Sequence, residues 1–372
     1  MSLRLTRRDL LLVLGAGGVS LVTRGRLALA SPGPENRPPL ADGRQAQAAT
    51  AGTPTIPPSI RLQMSDGSFC SIAMEEYVKG VVPAEMPAGW PAEALKAQAV
   101  AARTYAAAYV ATYGYICGTS ACQNWNPANR TAASDAAVAA TAGELMTYQG
   151  GMIWANYSST CGGQTANSPD AASAYCQSAR CGAGAPADLS SEAAAAAFWG
   201  NPQTAYCSGS SLFRWTYAAA RSTEDQILAQ YMNNQSLASI AVTSREYSGK
   251  ATNVRLNGSF NVTGESTIKT ALRPTVSGSS LPSANVILTF DGATLTRKGG
   301  GFGHGIGLCQ WGANGMATAG ATYRQILQHY YTGIAFQTVA PSSYALPATR
   351  AFRIALPWAS RAGGASSGAA CG

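Results

Sequence analysis

Residues Gly300–Gly312, GGFGHGIGLCQWG, alternate glycine with apolar side chains and one histidine. Glycine lets the backbone approach other groups closely and adopt positive φ, while apolar residues at the intervening places favour a short strand buried on one face. His304 is one of only two histidines in the chain. With Gln310 and Trp311 just beyond it, we expect this stretch to form part of a pocket wall.

The 372-residue chain is 46% hydrophobic and 12% charged, so it can bury a large core in one large domain or two. Its formal net charge is +8, but the first 30 residues carry five arginines and one aspartate, so residues 31–372 carry only +4. Such a modest excess suits an acidic polymer outside the cell and is too small for a nucleic-acid-binding surface.

The N-terminus resembles an export signal. Arg7 and Arg8 precede an apolar run, and Ala28-Leu29-Ala30 offers small residues for a signal peptidase. We expect a twin-arginine signal at 1–30, with an uncleaved membrane anchor as the alternative, and a Pro/Gly/Ala-rich linker at 31–58. The protein is therefore expected in the periplasm, the cell wall or the extracellular space. A catalytic domain is predicted at 59–345, and a tail rich in small residues at 346–372.

The predicted fold class is α+β, with a long N-terminal helix and a C-terminal helix around a substrate cleft. The long helix runs from Pro91 to about Gly114, with an apolar stripe on one face. Asp66-Gly67 predicts a tight hairpin. Further predictions are a hairpin over 144–157 around Gly150-Gly151, helices at 191–199, 223–233 (with a Thr223/Gln226 capping box) and 322–331, and strands at 240–242, 251–256 and 286–290.

Nine cysteines in an exported chain favour disulfides. Two C-x4-C pairs stand out, Cys117/Cys122 and Cys176/Cys181, whereas Cys371 lies in the predicted tail. Cys161, Cys176 and Cys181 also form a loose candidate metal site, because three sulfurs and a fourth ligand can hold zinc. Disulfides are the favoured alternative.

Glu85 is the first candidate catalytic residue. It lies between Pro83 and Pro87, which we expect to keep the backbone from being helical. A desolvated carboxyl on such a turn could serve as a general acid, although local sequence alone favours an ordinary surface glutamate. Lys96 and Arg103 are seven residues apart on one helical face. They either line a cleft for a polar substrate or lie on a face of the helix that is exposed to solvent.

His304 could orient a substrate or relay a proton, although a histidine among glycines is more often structural. A nucleophilic pairing of His304 with Cys309 is disfavoured, because an exported cysteine tends to be buried or oxidised. The glycine-rich run lacks the Lys-Ser/Thr ending of a phosphate-binding loop, and no nucleotide is expected.

Two long blocks resemble the SpoIID/LytB family of stage II sporulation protein D peptidoglycan enzymes and amidase enhancers. The first is MEEYVKGVVPAEMPAGWPAEALKAQAVAARTYA, residues 74–106, and the second is GFGHGIGLCQWGANGMATAGATYRQILQHYYTGI, residues 301–334. STCGGQT at 159–165 and ALRPTVSGSSLPSANV at 271–286 are weaker links. The resemblance spans roughly residues 60 to 334.

The resemblance implies an extracytoplasmic lytic transglycosylase that cleaves the glycan strands of peptidoglycan, typically after removal of their stem peptides. Glu85 matches the family's catalytic acid/base, which overturns the local expectation. Arg103, His304 and Gln310 match cleft residues. One carboxyl suffices, because the 6-hydroxyl of muramic acid replaces the second carboxylate that most glycosidases need. The predicted substrate-binding residues are therefore Arg103, His304, Gln310 and Lys96.

Two alternatives stay open: a non-catalytic wall-binding enhancer of an amidase, and a hydrolase with Glu76 as second carboxylate. Expected partners are peptidoglycan glycan strands and, for the enhancer, an amidase or other wall enzymes, but no nucleic acid. No cofactor is required. Family members that bind zinc have a histidine three residues before the STCGG cysteine, where this chain has Ser158, so disulfides gain over zinc. Cys309 and Trp311 stand where the family usually has serine and tyrosine.

Overall fold

A computed structural model describes residues 54–170, 173–201, 204–339 and Cys371. The predicted signal peptide, most of the linker and most of the tail lie outside these residues. The described part is a mixed α and β structure, so the α+β class is confirmed. None of its helices is both long and apolar enough to cross a membrane.

Eight α-helices lie in the described ranges: α1 Met74–Glu85, α2 Ala92–Tyr113, α3 Ala132–Ala140, α4 Glu192–Gly200, α5 Arg221–Leu228, α6 Glu265–Ala271, α7 Gln310–Thr318 and α8 Tyr323–Tyr330. The strands are β1 Ser59–Gln63, β2 Phe69–Ala73, β3 Ile116–Cys117, β4 Glu144–Tyr148, β5 Gly151–Met152, β6 Tyr157–Ser158, β7 Trp215–Ala220, β8 Ile240–Arg245, β9 Ala251–Leu256, β10 Phe260–Thr263, β11 Val286–Phe290, β12 Thr294–Gly299, β13 Leu308–Cys309 and β14 Ala335–Thr338.

These strands form small sheets with the orders β2-β1-β3, β14-β4-β5, β10-β9-β8, β11-β12-β7 and β13-β6. The first is the predicted hairpin, since β1 and β2 pair antiparallel across Asp66-Gly67, with Gly67 at φ 84°. The strands predicted at 240–242, 251–256 and 286–290 are found as β8, β9 and β11. The hairpin predicted over 144–157 is shorter than expected, because β5 ends at Met152.

Helix α2 lies at the centre of the larger hydrophobic core. It begins directly after Pro91 and ends at Gly114, whose φ of 78° is the left-handed conformation that ends many helices. Almost every residue from Ala94 to Val110 is buried, because α2 packs against α1, α3, α7, α8 and β4. The predicted single apolar stripe is therefore wrong. A helix that is apolar on all sides belongs inside a core.

A second hydrophobic cluster gathers side chains from β7, α5, β9, β10, α6 and β11, including Trp215, Leu256 and Ile268.

The helix predicted at 223–233 begins earlier, at Arg221, so Thr223 lies inside α5 and forms no capping box. By contrast, Thr322 caps α8 in a capping box with Gln325.

The glycine-rich run is not a strand, which corrects the expectation for residues 300–312. Gly301, Gly303, Gly305 and Gly307 have φ of 90°, 100°, 73° and 70°, so every second residue turns the chain out of the extended conformation. Only Leu308–Cys309 pairs as a strand, parallel to β6. Glycine is required at 307, since a Cβ there would collide with the carbonyl oxygen of Asn156.

Four of the nine cysteines form disulfides, Cys117–Cys122 and Cys70–Cys371. The second bond joins Cys371, in the predicted tail, to Cys70 on β2.

Candidate active site

Glu85 is the last residue of α1, and its side chain is completely buried. Pro83 lies inside this helix, so the prediction of a non-helical backbone here is wrong. The helix ends because Met86 precedes Pro87 and adopts an extended conformation. The Oε1 atom of Glu85 accepts a 2.6 Å hydrogen bond from the backbone N–H of Asn124.

Burial dominates the electrostatics of this carboxyl. Desolvation raises the pKa of Glu85 from 4.5 to about 8, and hydrogen bonding from Asn124, Gln310 and Tyr157 offsets only part of that effect. Glu85 is therefore largely protonated near neutral pH and can donate a proton. The expectation of an ordinary surface glutamate, drawn from local sequence, is wrong.

Gln310, the first residue of α7, joins three helices at this point. Its Nε2 atom donates to the backbone carbonyl of Glu85 at 3.2 Å and to Oε1 of Gln98, on α2, at 3.3 Å. The structure thus brings Glu85 and Gln310, two of the predicted site residues, into direct contact.

Several buried polar atoms around Glu85 have no hydrogen-bond partner within the described ranges. They are Oε2 of Glu85, Nε2 of Gln98, Nδ2 of Asn124 and Oε1 of Gln310. Buried polar groups are normally satisfied by protein or water, so a cluster of unpaired donors and acceptors indicates a place for water or a polar ligand. The set offers two amide donors and one amide acceptor beside a carboxyl oxygen.

A buried chain of hydrogen bonds through Gln123 stabilises the loop that contacts Glu85. The Tyr77 hydroxyl donates to Oε1 of Gln123 at 3.0 Å, and Nε2 of Gln123 donates to the Tyr157 hydroxyl at 3.0 Å. Gln123 also donates to the carbonyl of Ala102. Because Asn124 follows Gln123, this chain holds in place the backbone N–H that contacts Glu85.

Sequence reasoning missed Gln98, Gln123, Asn124 and Tyr157 as site residues. Gln98 could have been found, because it is an uncharged polar residue on an otherwise alanine-rich buried helix. Nothing local distinguishes Gln123 or Asn124, which reach the site through a loop that begins at the Cys117–Cys122 disulfide.

His304 is buried, and its Nδ1 accepts from the N–H of Ile306 at 3.0 Å. Burial lowers the pKa of His304 to about 4, although the charge of Glu265 acts in the opposite direction and that of Lys250 in the same one. The imidazole is therefore neutral, with its other nitrogen, Nε2, unpaired among the described residues. The charges that act on His304 include those of Glu265 and Lys250 but not that of Glu85, and no hydrogen bond between described residues joins His304 to Glu85.

Lys96 and Arg103 each form an ion pair with a carboxylate other than Glu85. Arg103 is completely buried and forms a two-pronged ion pair with Glu75, with both N···O distances at 2.7 Å. Glu75 and Glu85 are ten residues apart on α1, about 15 Å along a helix axis. Lys96 pairs with Glu93 at 2.7 Å, and Glu93 also accepts from the backbone N–H of Tyr323 at the start of α8. No hydrogen bond or ion pair between described residues joins either side chain to Glu85, and each pairs with a different carboxylate.

The predicted metal trio is only partly assembled. Cys161 and Cys181 lie together with Cys207 and Cys309, and their four buried Sγ atoms are all within 4.8 Å of one another. Cys176 is buried but is not a member of this group. Its inclusion is therefore wrong, and spacing could not reveal Cys207 or Cys309, which come from distant parts of the chain.

Comparison with known proteins assigns the family. A family model described as "Stage II sporulation protein" matches residues 67–148, and a second, described as a domain of unknown function, matches residues 166–307. An uncharacterized protein of Brachyspira hyodysenteriae is 33% identical over 270 residues, 70% of this chain and 66% of that protein. The amidase enhancer of Bacillus subtilis is 30% identical over 283 residues, 69% of this chain and 39% of that protein. Stage II sporulation protein D of Bacillus amyloliquefaciens is 27% identical over 335 residues, 84% of this chain and 87% of that protein.

The chain therefore belongs to the SpoIID family. It spans about two thirds of the Brachyspira protein and about two fifths of the amidase enhancer. Membership of this family supports a role related to the cell wall. Glu85, Gln98 and Asn124 all lie in the segment that matches the stage II sporulation model.

Proposed function

We propose that this protein is a lytic transglycosylase that cleaves peptidoglycan glycan strands between N-acetylmuramic acid and N-acetylglucosamine, with Glu85 as its single acid/base. The observation that carries this proposal is the completely buried Glu85 carboxyl, whose pKa is raised to about 8 and whose Oε2 is unpaired in the described part of the chain. A carboxylic acid kept neutral at pH 7 is what a general acid for glycoside cleavage requires.

In the first half of the reaction, protonated Glu85 gives its proton to the glycosidic oxygen as the bond from that oxygen to C1 of muramic acid breaks. The N-acetylglucosamine leaves with a free 4-hydroxyl, and positive charge develops at C1. The Glu85 carboxylate formed in this step is stabilised by the N–H of Asn124, 2.6 Å from Oε1.

In the second half, the 6-hydroxyl of the same muramic acid attacks C1 and gives its proton to Glu85. The product is a 1,6-anhydromuramoyl end, no water is consumed, and the acid is regenerated. This route needs no second carboxylate. The side chains that lower the pKa of Glu85 are those of Asn124, Gln310 and Tyr157, and none of them is a carboxylate.

The hydrolase alternative finds less support. Its candidate second carboxylate, Glu76, forms ion pairs with Lys79 at 2.6 Å and Arg130 at 2.8 Å. Glu76 also lies nine residues before Glu85 on α1. A carboxylate held there by two cations is poorly placed to activate water at the Glu85 site.

Substrate binding fits neutral sugars better than charged groups. The unpaired amide atoms of Gln98, Asn124 and Gln310 can hydrogen-bond hydroxyl and acetamido groups. Trp90, in the α1–α2 loop, and Trp311, next to Gln310, pack edge to face with centroids 4.9 Å apart and are partly exposed. Their rings would offer apolar faces for sugar rings, and because Oε2 is buried, part of the site must open for a glycan to reach it.

The proposal includes export by the twin-arginine route, with peptidoglycan as the substrate. A second candidate is favoured by the relative named amidase enhancer. In that case the chain would bind the wall and raise the activity of an N-acetylmuramoyl-L-alanine amidase without cleaving glycan itself.

The deciding experiment digests purified glycan strands, with and without stem peptides, using the wild type and Glu85→Gln. Mass spectrometry should find anhydromuramoyl ends with the wild type and lose them with Glu85→Gln. Glu76→Gln, on the same helix, is the matched control and should keep the activity.

If folded wild type releases no anhydro product from either substrate, the transglycosylase proposal fails. Stimulation of a purified amidase on intact walls would then support the enhancer. Reducing ends in place of anhydro ends would instead indicate a hydrolase.

A further inference from the structure

Four cysteines outside the glutamate site come together from four distant segments. Cys161 follows β6, Cys181 and Cys207 lie in loops, and Cys309 ends β13. All four are buried, and their Sγ atoms all lie within 4.8 Å of one another. Four cysteine sulfurs that converge in this way have the ligand number and type of a structural zinc site.

The spacing matches a single tetrahedral metal ion. A Zn–S bond of about 2.3 Å places the corners of a regular tetrahedron about 3.8 Å apart. The Sγ atoms of Cys161 and Cys207 are 3.8 Å apart. A disulfide would bring two sulfurs to about 2.05 Å, as a covalent bond requires. An iron–sulfur cluster needs room for several irons and sulfides between its thiolates, more than this group offers.

Hydrogen-bonding groups approach two of the four sulfurs. The backbone N–H groups of Cys161 and Gly312 both donate to Sγ of Cys309 at 3.3 Å, the second from the first turn of α7. The hydroxyl of Tyr330 lies 3.1 Å from Sγ of Cys181. Hydrogen bonds of this kind orient metal-bound sulfurs and stabilise their charge.

Gly312 shows how closely the protein packs around this group. A Cβ at this position would collide with the Tyr330 hydroxyl and would come within 2.7 Å of Sγ of Cys181. Glycine therefore lets the first turn of α7 approach the sulfurs while Tyr330 keeps its contact with Cys181.

We propose that Cys161, Cys181, Cys207 and Cys309 bind one Zn²⁺ ion in a closed, structural tetrathiolate site. The ligand set consists of this chain's own four cysteines. With four protein ligands the ion keeps no open position, and its role is to hold loops together.

The position of Cys309 connects the metal to the Glu85 site. Cys309 is followed by Gln310, whose side chain contacts the backbone of Glu85. Metal loss should therefore loosen the glycine-rich run and α7, although the metal site itself stands independently of the proposed glycan chemistry.

The first test measures metal and thiols in the purified full-length protein after incubation with Zn²⁺ and a reductant, followed by gel filtration. One zinc per chain is expected. Without reductant, denaturation and alkylation should label five cysteines and leave two disulfides, Cys70–Cys371 and Cys117–Cys122. Folded protein that takes up no zinc, or that carries four disulfides with only Cys176 labelled, would overturn the proposal.

Cobalt gives a second readout that needs no variant. Co²⁺ in place of zinc should produce the intense thiolate-to-metal absorption and the visible bands of a tetrahedral tetrathiolate site. A weak octahedral spectrum would contradict the geometry.

Variants then assign the ligands. Cys207→Ser should lose the metal, whereas Cys176→Ser, the matched control at a buried cysteine outside the group, should retain one zinc per chain. Retention of zinc and of the full cobalt spectrum by Cys207→Ser would overturn the ligand assignment. If Cys207→Ser does not fold, the wild-type metal, thiol and cobalt measurements decide the question.

Discussion

The side-chain amide of Gln310 donates to the backbone carbonyl of Glu85 at 3.2 Å, joining two residues 225 positions apart in the sequence. The contact connects the end of α1 to the start of α7. It also makes the glycine-rich segment a direct support of the buried acid, because Gln310 is the residue after β13.

Replacing Gln310 should weaken the Glu85 site without abolishing it. Gln310→Ala removes a buried hydrogen bond to Glu85 and another to Gln98, which together stabilise by about 1–3 kcal/mol. We expect glycan cleavage to fall about tenfold or more, since about 1.4 kcal/mol corresponds to a factor of ten in rate. The exposed Gln177→Ala is the control and should behave as wild type. Equal rates of glycan cleavage by wild type, Gln310→Ala and Gln177→Ala would show that Gln310 does not contribute to the site.

The raised pKa of Glu85 should make stability depend on pH. Between pH 4.5 and about 8 the native carboxyl keeps its proton while the unfolded chain has released it. The native state then binds more protons, so the free energy of unfolding falls as pH rises through this window, by a few kcal/mol at most.

Thermal unfolding of wild type and Glu85→Gln across this range checks the effect. The stability advantage of Glu85→Gln should grow with pH up to about 8 and then level off. Contributions common to both proteins, including that of His304, cancel in the difference. Parallel pH profiles would show that the Glu85 pKa is near its ordinary value. Glycan cleavage should likewise decline above pH 8, where Glu85 loses its proton.

Arg103 should prove to be a stability residue. It is completely buried and paired with Glu75, and it also donates to the carbonyls of Val138 and Glu144. Arg103→Ala removes one partner of a largely buried pair, which should cost about 3 kcal/mol of unfolding free energy. Arg130→Ala, which breaks ion pairs nearer the surface, should cost about 1 kcal/mol.

Urea unfolding of both arginine variants measures this difference. Below the unfolding transition, Arg103→Ala should bind glycan with unchanged affinity. A loss of glycan affinity without loss of stability would instead support the predicted substrate-binding role of Arg103.

Gly307 should tolerate no side chain. Gly307→Ala places a Cβ against the carbonyl of Asn156 and near the Tyr331 ring, at a φ of 70°. We expect a destabilisation of about 3 kcal/mol or more, among the larger single-site effects. Gly150→Ala also has positive φ, 84°, but meets nothing within 4 Å, so it should cost only about 1 kcal/mol. Similar melting temperatures for the two variants would contradict the packing argument.

Local signals predicted well wherever neighbouring residues decide the conformation. The Asp66-Gly67 turn and the Gly114 stop of α2 each depend on residues within a few positions. Pro83 shows the limit of such reasoning. A proline disfavours helix interiors by a few kcal/mol, yet α1 continues through it because Val82 and Glu85 are buried by packing against the rest of the core.

The sequence by itself determined the α+β class and the family, and it predicted Glu85 and Gln310 as site residues, because these follow from local patterns and long motif blocks. Only the tertiary structure decided that Arg103 forms an ion pair with Glu75 and that Asn124 contacts Glu85. It also decided that Cys207 and Cys309 lie beside Cys161 and Cys181. The reason is physical. The pKa of Glu85 depends on its burial, and the cysteine ligand set depends on the distances between sulfurs. Burial and these distances are fixed only when segments far apart in the sequence pack together, as Glu85 and Gln310 do across 225 positions.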